Sequence, residues 1–433
     1  MRTEKSRHIN DVKGFVRKLL EWSKAFDDVV FLDSNQTKDK YSSFDFIMAV
    51  DAFTALKTNA DLGLDALEDY QRTTRDWIFG HISYDIKNDI EDLNSKNDDG
   101  LDFPDLYFFQ PKKIIFIKDN VLTSLYLKMV DDDIDKDLDE ILNTASPPDG
   151  APDDIQIQSK LSQLEYVNIV NQVLSHIHRG DIYEMNFCQE FYVKNHRIQP
   201  EQCFENLNQI ARAPFTCFYK HEHLFAIGSS PERFLKKSGS KLISQPIKGT
   251  AKRHNDSEVD KNYKLKLQQD PKEVAENVMI VDLVRNDLSK IAKKNSVEVE
   301  ELCRIYSFKQ VHQMISTVSA DMNSEAGLKD IIQATFPMGS MTGAPKVSAM
   351  QIIENLESTK RGLYSGCIGY ITPEFDFDFN VVIRSILHNA SRQYTSLMVG
   401  SAITHQSIPE NEYAECLVKA KALMEVLKNE QVP

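Results

Sequence analysis

Apolar residues at Val12, Phe15, Val16, Leu19, Leu20 and Trp22 recur at spacings of three and four and predict a helix over residues 10–27. Shorter apolar runs at 29–32, 44–50 and 114–117 predict strands, and Trp77 to Asp85 reads as a core strand. Residues 159–179 predict another helix, ended by His176, His178 and Arg179 before Gly180. From Gly180 to Gln189 the chain reads as a turn into a strand. Asp270-Pro271-Lys272-Glu273 is a strong helix start, an N-cap acid followed by proline in the first turn. On that helix Glu276 falls in line with Ile280, Leu283 and Asp287. Pro409-Glu410-Asn411-Glu412 opens a last helix with Glu412, Glu415 and Lys419 on one face. The acidic run Asp131 to Glu140 and the proline and glycine residues of 144–154 together predict an exposed loop and the best boundary in the chain. This marks off residues 1–150, expected to be the N-terminal part of one intertwined fold, from 151–433, where the candidate chemistry lies.

Composition narrows the class. The 433 residues are 27% charged and 41% hydrophobic, as in ordinary globular proteins, and are enough for a substantial core. A net charge of −14 argues against a nucleic-acid partner, which needs a basic surface. The charged N-terminus has no signal-peptide core, and no run approaches the ~20 apolar residues of a membrane span. Six scattered cysteines without C-x-x-C pairs suit reduced thiols in a cytoplasmic enzyme. Cys367 is expected to be a buried strand residue.

Two stretches carry candidate chemistry. In Gln245-Pro246-Ile247-Lys248-Gly249-Thr250 a lysine sits between a proline and a glycine, so a short, defined turn would present it. An isolated lysine of this kind is usually an exposed turn residue. In Phe336 to Lys346 two glycines permit close backbone approach to a ligand, and the turn feeds a helix from Val347 to Leu356 whose first amides favour anions.

Taken together, Ser230-Pro231-Glu232-Arg233-Phe234, Pro246 to Thr250, Glu276 to Leu283, Thr342 to Lys346 and Glu412-Tyr413-Ala414-Glu415 resemble the motifs of the chorismate-utilising enzymes. The likeness runs from about Gly180 to the C-terminus and is thinner before residue 150. Within the family it is greatest to the branch leading to para-aminobenzoate. The resemblance implies an α/β fold in which two antiparallel-rich sheets face one another with helices outside and the site between them, as in anthranilate synthase component I. It also implies replacement of the C4 hydroxyl of chorismate by ammonia, giving 4-amino-4-deoxychorismate. In that reaction Lys248 attacks C2, Glu232 protonates the departing hydroxyl, and Mg²⁺ is held by Glu276 and Glu415 with Glu412 acting through water. Arg384 would hold a substrate carboxylate with Tyr370 as its partner. Thr342, Gly343, Gly400, Ser401 and Lys419 would line the pocket, with Val399 to Ile403 forming a glycine-rich turn.

Two positions depart from the family pattern. Glu184 stands where water-adding relatives carry a lysine base and amine-adding ones usually a glutamine; a salt bridge to a nearby cation is the plain expectation. Gln313, beside His312, stands where relatives often carry histidine. No G-x-C-x-G glutaminase elbow is present, so ammonia is expected from a separate glutamine amidotransferase subunit. Two other readings remain open. One is anthranilate formation, which aminates C2 and eliminates pyruvate and in which alanine typically replaces Lys248; the other is a non-catalytic chorismate-binding homologue.

Overall fold

The computed structural model describes residues 2–37, 40–145, 155–309 and 311–428. Its strands, twenty among the described residues, form one hydrogen-bonded network in which every strand pairing is antiparallel. The two expected sheets are therefore joined. The joint is the long pair Phe46–Thr58 and Leu106–Lys118, bent at a register shift between Ala52 and Thr54. One end of Leu106–Lys118 pairs with Ile78–Ile82, and the other with Val121–Leu127. Sequence halves mix in both sheets: Asp28–Asp33 pairs with Phe215–His221, and Ile78–Ile82 with Cys367–Ile371.

Strand alternation explains the layers. In Asp28–Asp33, Val30 joins a core that also holds Phe79, Phe108, Leu235, Phe379 and Val381 of the opposite sheet. Val29 and Phe31 point the other way, into a second core built with Phe15, Leu19, Val170 and Leu423 of the outer helices. Strands buried on both faces become continuous apolar runs, which is why 29–32 and 114–117 stand out in the sequence. Cys367 is fully buried in such a strand.

The first helix is Val12–Ser23, capped by Asp11, which accepts from the Gly14 amide at 2.9 Å. Gln163–Arg179 has a Ser162/Glu165 capping box and ends at Gly180 with φ 84°, so it begins about four residues later than the periodicity implied. The acidic run is a correction: Asp133–Asn143 is a helix, not a loop. Ile134, Leu138 and Ile141 lie on one buried stripe, and the buried Asp137 accepts from Lys113 Nζ at 2.6 Å and Tyr126 Oη at 3.0 Å. Of the expected loop 144–154, residues 146–154 lie outside the described residues.

Candidate active site

Lys248 does not sit in a turn. It belongs to the strand Ile247–Lys252, whose pairing with Val311–Asp321 shifts register between Ile247 and Thr250. Gly249 takes φ 91° there, a conformation that favours glycine, and the irregularity leaves the lysine side chain 11% exposed. Its Nζ lies 2.7 Å from Glu184 Oε1. Burial pulls the ammonium down, but Glu184, Glu276 and Glu232 together outweigh it and hold Lys248 above its ordinary value. The lysine is thus charged before substrate arrives, whereas the nucleophile implied by the resemblance is neutral. Glu184 begins the strand Glu184–Lys194 and is clamped from both sides, opposite Ala344 and opposite Thr404.

Glu232 closes another wall. Ser340 Oγ donates to its Oε1 at 2.6 Å. Burial pushes the carboxyl up to about 7, against the downward pull of Ser340 and Lys248. A small pocket of about 20 Å³ borders it, where Phe234, Leu235, Val284, Leu288 and Met338 lie alongside Arg233 and Asp287. A protonated carboxyl at neutral pH is what a general acid requires.

The acids expected to bind metal surround one ammonium, that of Lys272. It lies 3.8 Å from Glu276 Oε1 and 3.6 Å from Glu412 Oε1, with Glu273 and Glu415 within electrostatic reach. Glu412 is buried and accepts from Ser401 Oγ. Glu415 is half-exposed and pairs with Lys419 at 2.6 Å. Glu276 is pushed up to about 7 by burial, opposed by Lys248 and Lys272, and its Oε1 is buried without a hydrogen-bond partner. Among the described residues no three His, Cys, Asp or Glu side chains form a ready metal cage. That suits Mg²⁺, which takes one or two carboxylates and completes its octahedron with water and substrate oxygens. The Glu276 oxygen, without a hydrogen bond and only loosely paired with Lys272, and the lysine already standing among the acids suit a place for positive charge, so the residues fit the ion.

Arg384 lies between the strands Phe377–Val381 and Ser385–Asn389 with φ 52°, a conformation uncommon for a residue with a side chain. Its carbonyl accepts from the Ser229 amide at 3.1 Å. No hydrogen bond or ion pair to its guanidinium is present among the described residues. Burial holds it below its ordinary value, offset by Tyr364 and Glu415. A desolvated guanidinium without a partner has the geometry and charge to pair with a carboxylate. Tyr370 is not its partner. That ring packs with Phe44, Trp77 and Phe79 and faces Asp378 and Arg233. Tyr364, six residues earlier and buried, is instead the tyrosine that lies within electrostatic reach of Arg384.

The remaining pocket residues cluster on two backbones. A Cβ on Gly343 would lie 2.2 Å from the Glu184 carbonyl, so glycine permits the 336–346 segment to lock against the strand carrying Glu184. Thr342 is buried and its hydroxyl donates to the Met338 carbonyl at 3.1 Å, which turns it inward to the loop. Gly400 and Ser401 are not in a turn but in the strand Tyr394–Thr404, opposite Cys188 and Phe187. Ser385–Asn389 covers this strand only over Tyr394–Ser396, so one edge is unpaired beyond it and backbone groups there can meet a ligand. Lys419 Nζ donates to the Gly400 carbonyl at 2.8 Å. Gln313 is buried with Oε1 unpartnered, while His312 bonds Ser307 and Asp260 and serves structure.

Sequence reasoning missed Lys272, Tyr364 and Arg361. Arg361 is 2% exposed and donates to Glu357 Oε1 and Oε2, the Met341 carbonyl at 2.7 Å and the Asn186 carbonyl at 2.9 Å. It thereby holds the Thr342 loop against the Glu184 strand. Arg361→Met is expected to destabilise the chain by about 3–5 kcal/mol, since it strands the buried Glu357 carboxylate. Chemical denaturation would measure this, and Arg361→Met with Glu357→Gln should recover part of the loss. A drop under about 1 kcal/mol would remove the clamp role.

With this geometry in view, the comparisons place the chain. Residues 25–425 match the chorismate binding enzyme family, and the chain belongs to it. It is 28% identical over 92% of its length to anthranilate synthase component 1 of Aquifex aeolicus, covering 89% of that protein. It is 37% identical to aminodeoxychorismate synthase component 1 of Salmonella typhimurium over 63% of this chain, spanning only 59% of that relative. The crystal structure of anthranilate synthase component I from Streptococcus pneumoniae superposes with a TM-score of 0.77 at 25% identity, covering 90% of this chain and 94% of that one. This is therefore a chorismate-utilising enzyme, similar to the aminodeoxychorismate and anthranilate synthase components.

Proposed function

We propose that this chain aminates chorismate at C4, the reaction of aminodeoxychorismate synthase component 1, in para-aminobenzoate and folate synthesis. The observation that carries it is the buried amine of Lys248, set within reach of Glu184, Glu232 and Glu276 in one site. Arg384 holds one substrate carboxylate. Glu276, with Glu412 and Glu415, would hold Mg²⁺, which when bound neutralises the other substrate carboxylate. Glu232 gives its proton to the C4 hydroxyl as Lys248 Nζ bonds to C2, the double bond shifts, and water leaves. Ammonia then adds at C4 and expels the lysine amine. Anthranilate formation is the reading in which alanine typically stands at this position.

Ammonia would come from a glutamine amidotransferase subunit, in keeping with the component 1 relatives, and the location is cytoplasmic. Among the described residues no helix is long and apolar enough to cross a membrane. Incubating the chain with chorismate, Mg²⁺ and an ammonium salt should yield aminodeoxychorismate. Anthranilate, or no product at all, would refute the assignment.

The acid role sets a pH profile. Glu232 must be protonated, and its carboxyl is held at about 7. The rate should accordingly fall about tenfold per pH unit above neutrality as the proton is lost. Glu232→Gln is expected to be slower by roughly 10²–10⁴-fold and to lose that alkaline limb. An unchanged limb in the variant would assign it to another group.

A further inference from the structure

An ammonium has no lone pair, so Lys248 must lose a proton before it can attack carbon. The charged groups facing it are Glu184 from the strand Glu184–Lys194, Glu232 from the loop after Leu224–Ser230, Glu273 and Glu276 from the helix Pro271–Ser289, and Glu415 from the helix Pro409–Leu427. Glu232 is bonded to Ser340 and assigned to the leaving hydroxyl. Glu276 and Glu415 stand in the cation site. Glu184 alone of these has a hydrogen bond to Nζ, at 2.7 Å. Its other oxygen, Oε2, is buried with no hydrogen-bond partner. Its backbone is fixed between Ala344 and Thr404, with Gly343 packed on its carbonyl, so the carboxylate is held in place rather than sampling solvent.

We propose that Glu184 is the general base of this site, taking the proton from Lys248 Nζ before attack and returning it when the lysine is released. The inference rests on the amination reading above. The charge balance closes. Proton transfer turns the ion pair into a neutral acid and a neutral amine; the amine forms the bond to C2 as the C4–O bond breaks, and Glu232 supplies the proton that leaves as water. Ammonia then bonds to C4 and breaks the bond from C2 to Nζ. The freed amine recovers its proton from Glu184, and the new C4 ammonium gives up the proton that restores Glu232. A glutamine at position 184 could accept a hydrogen bond from the lysine but no proton.

The test is the rate of adduct formation on Lys248, followed by rapid quench and mass spectrometry with chorismate and Mg²⁺ but no ammonia. Glu184→Gln should slow it by about 10²-fold or more near neutral pH, with the rate climbing about tenfold per pH unit up to neutrality as hydroxide replaces the missing base and levelling above it as Glu232 loses its proton. The KM for chorismate should change little. Glu184→Asp keeps the charge one methylene farther away and should recover part of the rate without that steep climb, which also serves if the glutamine variant does not fold. Normal or faster adduct formation in Glu184→Gln would overturn the base role while leaving the amination reading intact. Absence of any adduct on the unaltered chain would overturn both.

Discussion

Lys248→Ala is expected to eliminate aminodeoxychorismate formation by the covalent route, lowering it by on the order of 10³-fold or more, because the variant lacks the atom that bonds to C2. The substitution leaves Arg384 and the acidic cation site in place and opens a space large enough for ammonia. Residual product should shift toward amination at C2, giving the 2-amino isomer or anthranilate. One structural effect must be separated from the chemical one. Removing Lys248 strands the Glu184 carboxylate, whose side chain is only 2% exposed, and leaving one partner of a buried pair uncompensated costs about 3–5 kcal/mol. Lys248→Ala combined with Glu184→Gln removes that charge and should regain stability but not C4 amination. Product analysis by chromatography, with thermal denaturation alongside, reads both effects. Unchanged aminodeoxychorismate synthesis by Lys248→Ala would leave the lysine a structural partner of Glu184.

Much of this fold is legible in the chain because its strands are buried on both faces and its helices carry ordinary end signals. Val29 to Leu32 and Ile114 to Ile117 advertise themselves as apolar runs, and the Ser162/Glu165 box and Gly180 bracket a helix. The misreading at Asp131 to Glu140 has a clear origin. Like charges suggested solvent, but the deciding signal was the sparse stripe Ile134, Leu138 and Ile141, and Asp137 finds Lys113 only through tertiary folding. That the two sheets are joined depends on the length and bend of Phe46–Thr58, which no local pattern displays.

At the site, residue types were legible and partnerships less so. Glu232, Lys248 and Glu276 stand out within motifs, and Lys248 lies within electrostatic reach of both acids. Tyr364 and Tyr370 lie six residues apart around Gly366 and Gly369, and only the course of the chain into Cys367–Ile371 sends one toward Arg384 and the other into an aromatic cluster. Gly400 looked like part of a turn because glycine breaks patterns, yet here it lets Cys188 and Asn186 lie close to the strand. Lys272 was hidden within a helix-start signature, where its charge had no visible purpose.

Glu276→Gln should give effects of opposite sign on activity and stability. The glutamine keeps the shape but removes an anionic ligand, so turnover should be lost and Mg²⁺ binding, measured by calorimetry with product present, should weaken; Glu415→Gln should weaken it as well. Stability should move the other way. Burial, opposed by Lys248 and Lys272, leaves the Glu276 carboxyl at about 7 in the folded chain against an ordinary value of 4.5. Below pH 4.5 both states are protonated and the group has no effect. Between 4.5 and 7 the unfolded chain ionises first, so folding is progressively disfavoured, and at 7 and above the penalty levels off near roughly 3 kcal/mol at about 1.4 kcal/mol per unit. Without Mg²⁺ the glutamine variant should therefore melt higher than the unaltered chain at pH 7.5 and nearly equal to it at pH 4.5. Saturating Mg²⁺ with product should narrow the gap, because only the unaltered chain gains the full binding energy. Equal melting temperatures at pH 7.5, together with unchanged Mg²⁺ affinity, would remove Glu276 from the cation site.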